Sequence, residues 1–155
     1  MIVAPAIYVR TLHVPLMPAW QRLAALAVAL GCLGVLLVAA RITPAASGIG
    51  THQQLGMMPC GFYASTGVPC AACGMTTSFA HLVRGHVLAS FVTQPFGCLL
   101  GLATAAAVSI GLYAAVTGRP AYAPLLAVPL KTHLWLWLPL AGAAWAYKIA
   151  VVVMH

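Results

Sequence analysis

Three long stretches of the chain carry almost no polar residue, and the remaining segments are arranged between them. The first, Leu23 to Ala40, would extend about 27 Å as a helix, close to the hydrocarbon thickness of a bilayer. Trp20, Arg22 and Arg41 flank it as interfacial anchors. The second, Phe96 to Thr117, has no charge. Thr93 or Gln94 is placed to cap it, Pro95 falls in its first turn where a missing N–H costs nothing, and Gly118 and Pro120 stop it. The third, Leu134 to Val153, has Trp135 and Trp137 belting one end and Trp145 and Tyr147 the other, with a kink expected at Pro139. The pattern predicts an all-α membrane protein, one membrane domain over residues 1–155 with transmembrane helices near 23–40, 96–117 and 134–153.

Between the first two spans the periodicity changes. Residues 42–59 are rich in Gly, Pro and Ser and read as loop. Met75, Phe79, Leu82 and Val83, then Val87 and Phe91, recur at helical spacing, with Thr77, His81 and Arg84 on the other side. This predicts short amphipathic helices lying in the membrane interface and divided at Gly85. They and the cysteine-rich loop before them fill residues 55–94. The first 19 residues are too broken by proline for a stable helix, and residues 119–133 read as a loop hugging the interface. Pro44-Ala45-Ala46-Ser47 resembles a small-residue cleavage site. The apolar run before it exceeds a signal-peptide core of about 7–15 residues, so an uncleaved span is the expectation. Gly97 and Gly101 form a GxxxG, which predicts close helix packing within the chain rather than a dimer face.

Composition sharpens this picture in two ways. Charged residues make up 5% of the chain, against about 25% in soluble domains, so its surface requires lipid. There are seven Lys/Arg and no Asp or Glu, which excludes carboxylate acid–base chemistry, carboxylate metal cages and acidic proton relays. The basic residues are single and scattered, which excludes a nucleic-acid surface and leaves the lipid bilayer as the expected partner. With no acid in the chain, their counter-charges are expected to be lipid phosphate, the C-terminal carboxylate or an acidic membrane-protein partner. Lys148 is expected to snorkel to headgroups. A transporter is disfavoured, because three spans without carboxylates offer little path.

The chemistry is concentrated between Cys60 and Thr77, CGFYASTGVPCAACGMTT. Cys60, Cys70 and Cys73 share this stretch, and Cys98, in the first turn of the second span, is expected at a similar depth. These four are the disulfide candidates, and sequence alone does not choose among their pairings. Cys32 falls inside the first span and packs as a small hydrophobe. A structural bridge is the first reading. The second is redox: Cys70 and Cys73 stand just before a helix, whose free N–H groups favour a thiolate. The third is a zinc site of Cys60, Cys70 and Cys73 with His81, or else His52 or His86. His13, His133 and His155 have no cysteine nearby in sequence. Thr76 and Thr77 are placed to cap the following helix.

The run Cys60-GFYASTGVP-Cys70-AA-Cys73-Gly74-Met75-Thr76, followed by Arg84-Gly85 and by Gln94-Pro95 at a span, resembles the bacterial membrane family called domain of unknown function 2752. That family's pattern is a Cys, about nine residues including Thr-Gly, then Cys-Pro-x-Cys-Gly-x-Thr-Arg, with an Arg-Gly-Asp/Asn turn and an Asn-Pro later. Thr66-Gly67, Cys70, Cys73, Gly74 and Thr76 fit; Ala71, Thr77, His86 and Gln94 depart from it. The missing Arg at position 77 removes a charge that would activate a thiolate. The resemblance, over roughly residues 55–110, implies a bacterial integral membrane protein and assigns no activity.

An odd number of spans puts Arg10, Arg22, Arg119 and Lys131 on one side and Arg41, Arg84 and Lys148 on the other. The slight excess predicts a cytoplasmic N-terminus in a bacterial inner membrane, with the cysteine loop on the periplasmic side. The expected function is a non-catalytic accessory or assembly module with a cysteine-stabilised loop. A membrane thiol–disulfide oxidoreductase using Cys70 and Cys73 and a Cys/His zinc module are the alternatives. No cofactor is expected.

Overall fold

The computed structural model describes residues 16–154. Arg10, His13, His155 and the non-helical reading of the first 15 residues lie outside the described residues. Among the described residues seven α-helices follow one another: α1 (Ala19–Arg41), α2 (Gly61–Thr66), α3 (Met75–Leu82), α4 (Val87–Thr93), α5 (Pro95–Thr117), α6 (Ala123–Ala127) and α7 (Leu130–Val153). A short 3-10 turn, Thr51–Leu55, lies between α1 and α2. Helices α1, α5 and α7 are long and apolar enough to cross a membrane. All three predicted spans are present, each begun one to four residues before its predicted start. The loop predicted at 119–133 contains α6 and the first turn of α7.

Close packing of α1 against α5 forms the frame. At Gly111 a Cβ would come within 2.9 Å of both the Ala25 carbonyl oxygen and the Ala29 Cβ, so glycine permits this approach. The two helices are also tied end to end. Arg22, near the start of α1, donates from Nε to the Ala115 carbonyl (2.8 Å) and from Nη2 to the Val116 carbonyl (3.0 Å), in the last turn of α5. Arg84, just beyond α3, does the same for α1. Its guanidinium donates to the carbonyls of Ala39 (3.3 Å), Ala40 (3.1 Å), Ile42 (2.8 Å) and Ala80 (2.7 Å). The last carbonyls of a helix have no partner of their own and carry its negative dipole end, so they stand in for the missing carboxylates. The expected counter-charges are lipid phosphate, the C-terminal carboxylate or a partner; for Arg22 and Arg84 the fold supplies helix ends as well.

The GxxxG face works as predicted, within the chain. A Cβ at Gly97 would stand 3.0 Å from the Ser78 Cβ and Oγ, and one at Gly101 2.5 Å from Leu82 Cδ2. Both glycines therefore seat α3 on α5. This embeds α3 more deeply than an interfacial helix requires: Thr77, Ser78, Phe79 and Ala80 are all buried. The hydroxyls of Thr77 and Ser78 are satisfied internally, whereas His81 Nδ1 is buried without a hydrogen-bond partner. Ser78 Oγ donates toward the carbonyls of Ser90 (3.0 Å) and Gln94 (3.2 Å) and pairs with Ser90 Oγ (2.8 Å). Gly85, at φ +78, makes the turn into α4 that the sequence placed there.

Candidate thiol site

The site lies where the loop after α1, the cysteine stretch, the start of α3 and the end of α7 meet. Pro69 is buried, and its carbonyl accepts from Trp145 Nε1 (2.9 Å). The fully buried Gln94 donates from Nε2 to the Ala71 carbonyl (3.0 Å), in the middle of the Cys-x-x-Cys turn. Cys70 and Cys73 are joined across that turn by the Cys73 N–H to the Cys70 carbonyl (3.0 Å). Thr77 Oγ1 bonds Thr51 Oγ1 (2.8 Å), which also accepts from the Ala45 N–H (2.9 Å). The expected capping role of Thr77 is therefore replaced by a contact between elements. Gly74 occupies the N-cap position of α3 with no side-chain cap.

These contacts fix one arm of the site and leave the other lightly held. Cys73 is buried at the foot of α3, whereas Cys60 is partly exposed at the N-cap of α2, a helix with no buried residue. Yet the Sγ atoms of Cys60, Cys70 and Cys73 all lie within 4.8 Å of one another. Cys70 and Cys73 Sγ are 3.1 Å apart. No Sγ pair among the described residues stands at disulfide distance, and all five cysteines are free thiols.

Two of the other candidates lie elsewhere. Cys98 is 2% exposed and its Sγ faces the Val87 carbonyl (3.9 Å), outside the trio. His81 is outside it too, its ring centroid 6.2 Å from that of His86. Burial, then the charges of His86 and Arg84, hold its pKa below the ordinary 6.5. Among the described histidines, His52 is the one beside the thiols: it shares the wall of a cleft of about 510 Å³ with Cys60, Tyr63 and Lys148.

The sequence points to Cys70 or Cys73 as the activated thiol, and the environments of the thiols favour another. Cys60, not Cys73, profits from exposed N–H groups at a helix start. The Tyr63 N–H, then the Cys70 side chain, lower its pKa below the ordinary thiol value of 9.0. Cys73 is pushed up to about 12, first by burial and then by hydrogen bonding to Cys70. The thiol next to the helical stretch is the harder one to ionise, because α3 is packed rather than solvated.

Lys148 is the second departure. It was expected to snorkel; it is 3% exposed. Its Nζ donates to the carbonyls of Thr93 (3.0 Å), the last residue of α4, and Gly48 (3.3 Å). A Cβ at Gly74 would stand 2.8 Å from the Gly48 oxygen and 3.1 Å from Lys148 Nζ, so the chain next to Cys73 runs directly over the ammonium. Trp145 and Tyr147, read as interfacial belt residues, bond the Pro69 and Val92 carbonyls and help pull this end of α7 onto the site. Sequence gave no signal for these partners, since all are backbone oxygens.

Residues 60–108 match the family model described as "Protein of unknown function (DUF2752)". The match begins at the first cysteine of the trio and takes in the other two, so the resemblance read from the motif is borne out over that segment. Neither a curated protein nor a solved structure matches the chain at a significant level.

Proposed function

We propose that the protein is a membrane-anchored accessory module whose working part is a thiophilic metal site formed by Cys60, Cys70 and Cys73. The observation that carries this reading is the convergence of three sulfurs from two chain segments within 4.8 Å. A disulfide needs two; the third is left without a purpose. Sulfurs around one thiolate-bound ion at about 2.3 Å stand roughly 4 Å apart, which small side-chain adjustments reach from here. Three protein ligands leave a fourth position open, and the cleft beside Cys60 gives it access. Bound metal would replace the expected disulfide as the staple that holds α2 to the packed frame. His81 has no part in this set.

The family resemblance implies a bacterial inner membrane, and the basic-residue balance favours a cytoplasmic N-terminus with the thiols on the opposite face, where coordination would keep them reduced. The test is metal content of the detergent-purified protein, with alkylation of its thiols before and after chelation. About one ion per chain, lost in Cys70→Ser, is the expected result. Absence of metal together with an oxidised Cys70–Cys73 pair would overturn the reading.

A second reading rests on the 3.1 Å separation of the Cys70 and Cys73 sulfurs. Here a partner dithiol is oxidised to a disulfide, and its two electrons and two protons reduce a Cys70–Cys73 disulfide to two thiols. A Cys70–Cys73 pair that cycles with a partner's redox state, without metal, favours this reading.

A further inference from the structure

The metal reading leaves a question of charge. Lys148 is buried beside the thiols in a chain with no Asp or Glu. Two carbonyls satisfy its hydrogen bonds, and the one at the end of α4 offsets part of its charge, but they are dipoles and no group with a full negative charge belongs to the chain beside it. Burying an ammonium at that depth is costly unless an anion shares the site. The other cations with carbonyl partners, Arg22 and Arg84, are exposed, so solvent shares their charge. Among the described cations Lys148 is the enclosed one, and it lines the same cleft as Cys60 and lies under Gly74, next to Cys73.

Charge counting then selects among thiophilic ions. Three thiolates and a monovalent ion sum to −2, and three thiolates and a trivalent ion to zero. Three thiolates and a divalent ion sum to −1, which one ammonium cancels. Building on the three-thiol reading, we infer that the site takes a divalent thiophilic ion of the zinc class as a tris-thiolate, with Lys148 as its built-in counter-charge. Binding transfers no electron. The ion displaces the thiol protons to solvent, and the negative complex forms over the ammonium, whose position is already fixed by Gly48 and Thr93. Lys148 is a positioning residue for charge and not a ligand. The absence of a side chain at Gly74 keeps the approach open, because a Cβ there would meet the Gly48 carbonyl.

The experiment compares full-length wild type, Lys148→Arg and Lys148→Met in detergent under reducing conditions. Each is titrated with Zn²⁺ against a chelator, and separately with Ag⁺ as a monovalent thiophilic probe. Wild type should bind one Zn²⁺ with Cys60, Cys70 and Cys73 all protected from alkylation. Lys148→Met should weaken Zn²⁺ binding by about 10- to 100-fold, as loss of an outer partner of a metal site does, and Lys148→Arg should retain most of it. Equal Zn²⁺ affinity in wild type and Lys148→Met would overturn this inference while leaving the thiol site standing. Should Lys148→Met not fold, wild type decides on its own. Zn²⁺ bound with all three thiols protected supports the tris-thiolate, and Zn²⁺ bound with one of the three still open to alkylation overturns it. A wild type that binds neither ion brings down the thiol-metal reading itself.

Discussion

The two arms that carry the thiols are built on opposite principles. The arm from Cys73 through α3 is locked in place: two glycines of α5 admit it, Ser78 is satisfied by Ser90 and Gln94, and Arg84 ties its far end to the last carbonyls of α1. The arm from Cys60 through α2 buries no side chain, and Phe62 and Tyr63 stay exposed. Helices this short do not hold themselves in water or at an interface, so packing or a cross-link must do it. The contrast shows where a ligand at the thiols would act. On the α3 arm it finds a preformed anchor, and on the α2 arm it supplies the only strong tie.

The predictions that test this contrast begin with the rigid arm. Gly101→Leu would drive a side chain into Leu82 and should cost about 1–3 kcal/mol by overpacking, seen as a lower thermal midpoint in detergent. An unchanged midpoint would mean that α3 is not held as described. Ser78→Ala leaves the buried Ser90 hydroxyl without its partner, while the Gln94 carbonyl keeps the Cys98 N–H, and should cost about 1–2 kcal/mol in the same assay. Trp145→Phe removes the bond to Pro69 and should cost about 1 kcal/mol, with faster alkylation of Cys70 as its specific sign.

The opposite arm should respond locally. Cys60→Ser should leave the midpoint within about 0.5 kcal/mol while raising hydrogen exchange across residues 61–66 and leaving 75–82 unchanged. If both segments loosen together, the arms are not independent. In metal-stripped protein near pH 8, Cys60 should be alkylated first and Cys73 last, since the first thiol is lowered and the second pushed up to about 12. Mass mapping of a time course reads that order, and Cys73 leading would reverse the electrostatic account.

The smallest effect concerns His81. Its folded pKa is depressed below 6.5, so between the two values the unfolded chain binds more protons. Stability is therefore full above about pH 6.5 and falls as the pH drops through the depressed value. His81→Gln should flatten that slope when midpoints at pH 7.5 and 5.5 are compared. A slope identical to wild type would remove His81 from the rigid arm's electrostatics.

What was legible in the sequence was whatever depends on composition along a line. Uninterrupted apolar length fixed the three spans. Pro95 and Gly118 marked the ends of the second span and Gly85 the break between α3 and α4, because each acts through its own backbone, and the GxxxG read correctly as an internal contact. The cysteine motif identified the neighbourhood of the site and the matched family segment.

Only the tertiary structure decided which sulfurs meet, which thiol ionises first and where the cations find partners. Cys98 and His81 are near the motif in sequence yet outside the trio, because α3 and α5 turn them toward other neighbours. Thr77 and Gln94 read as helix caps and Lys148 as a snorkelling residue, and all three are buried, since their partners are a hydroxyl far along the chain and backbone oxygens that carry no sequence signature. Hydrophobic periodicity is a local property of the chain. Desolvation and charge compensation are properties of a place in space, and they come into being when the chain has folded around it.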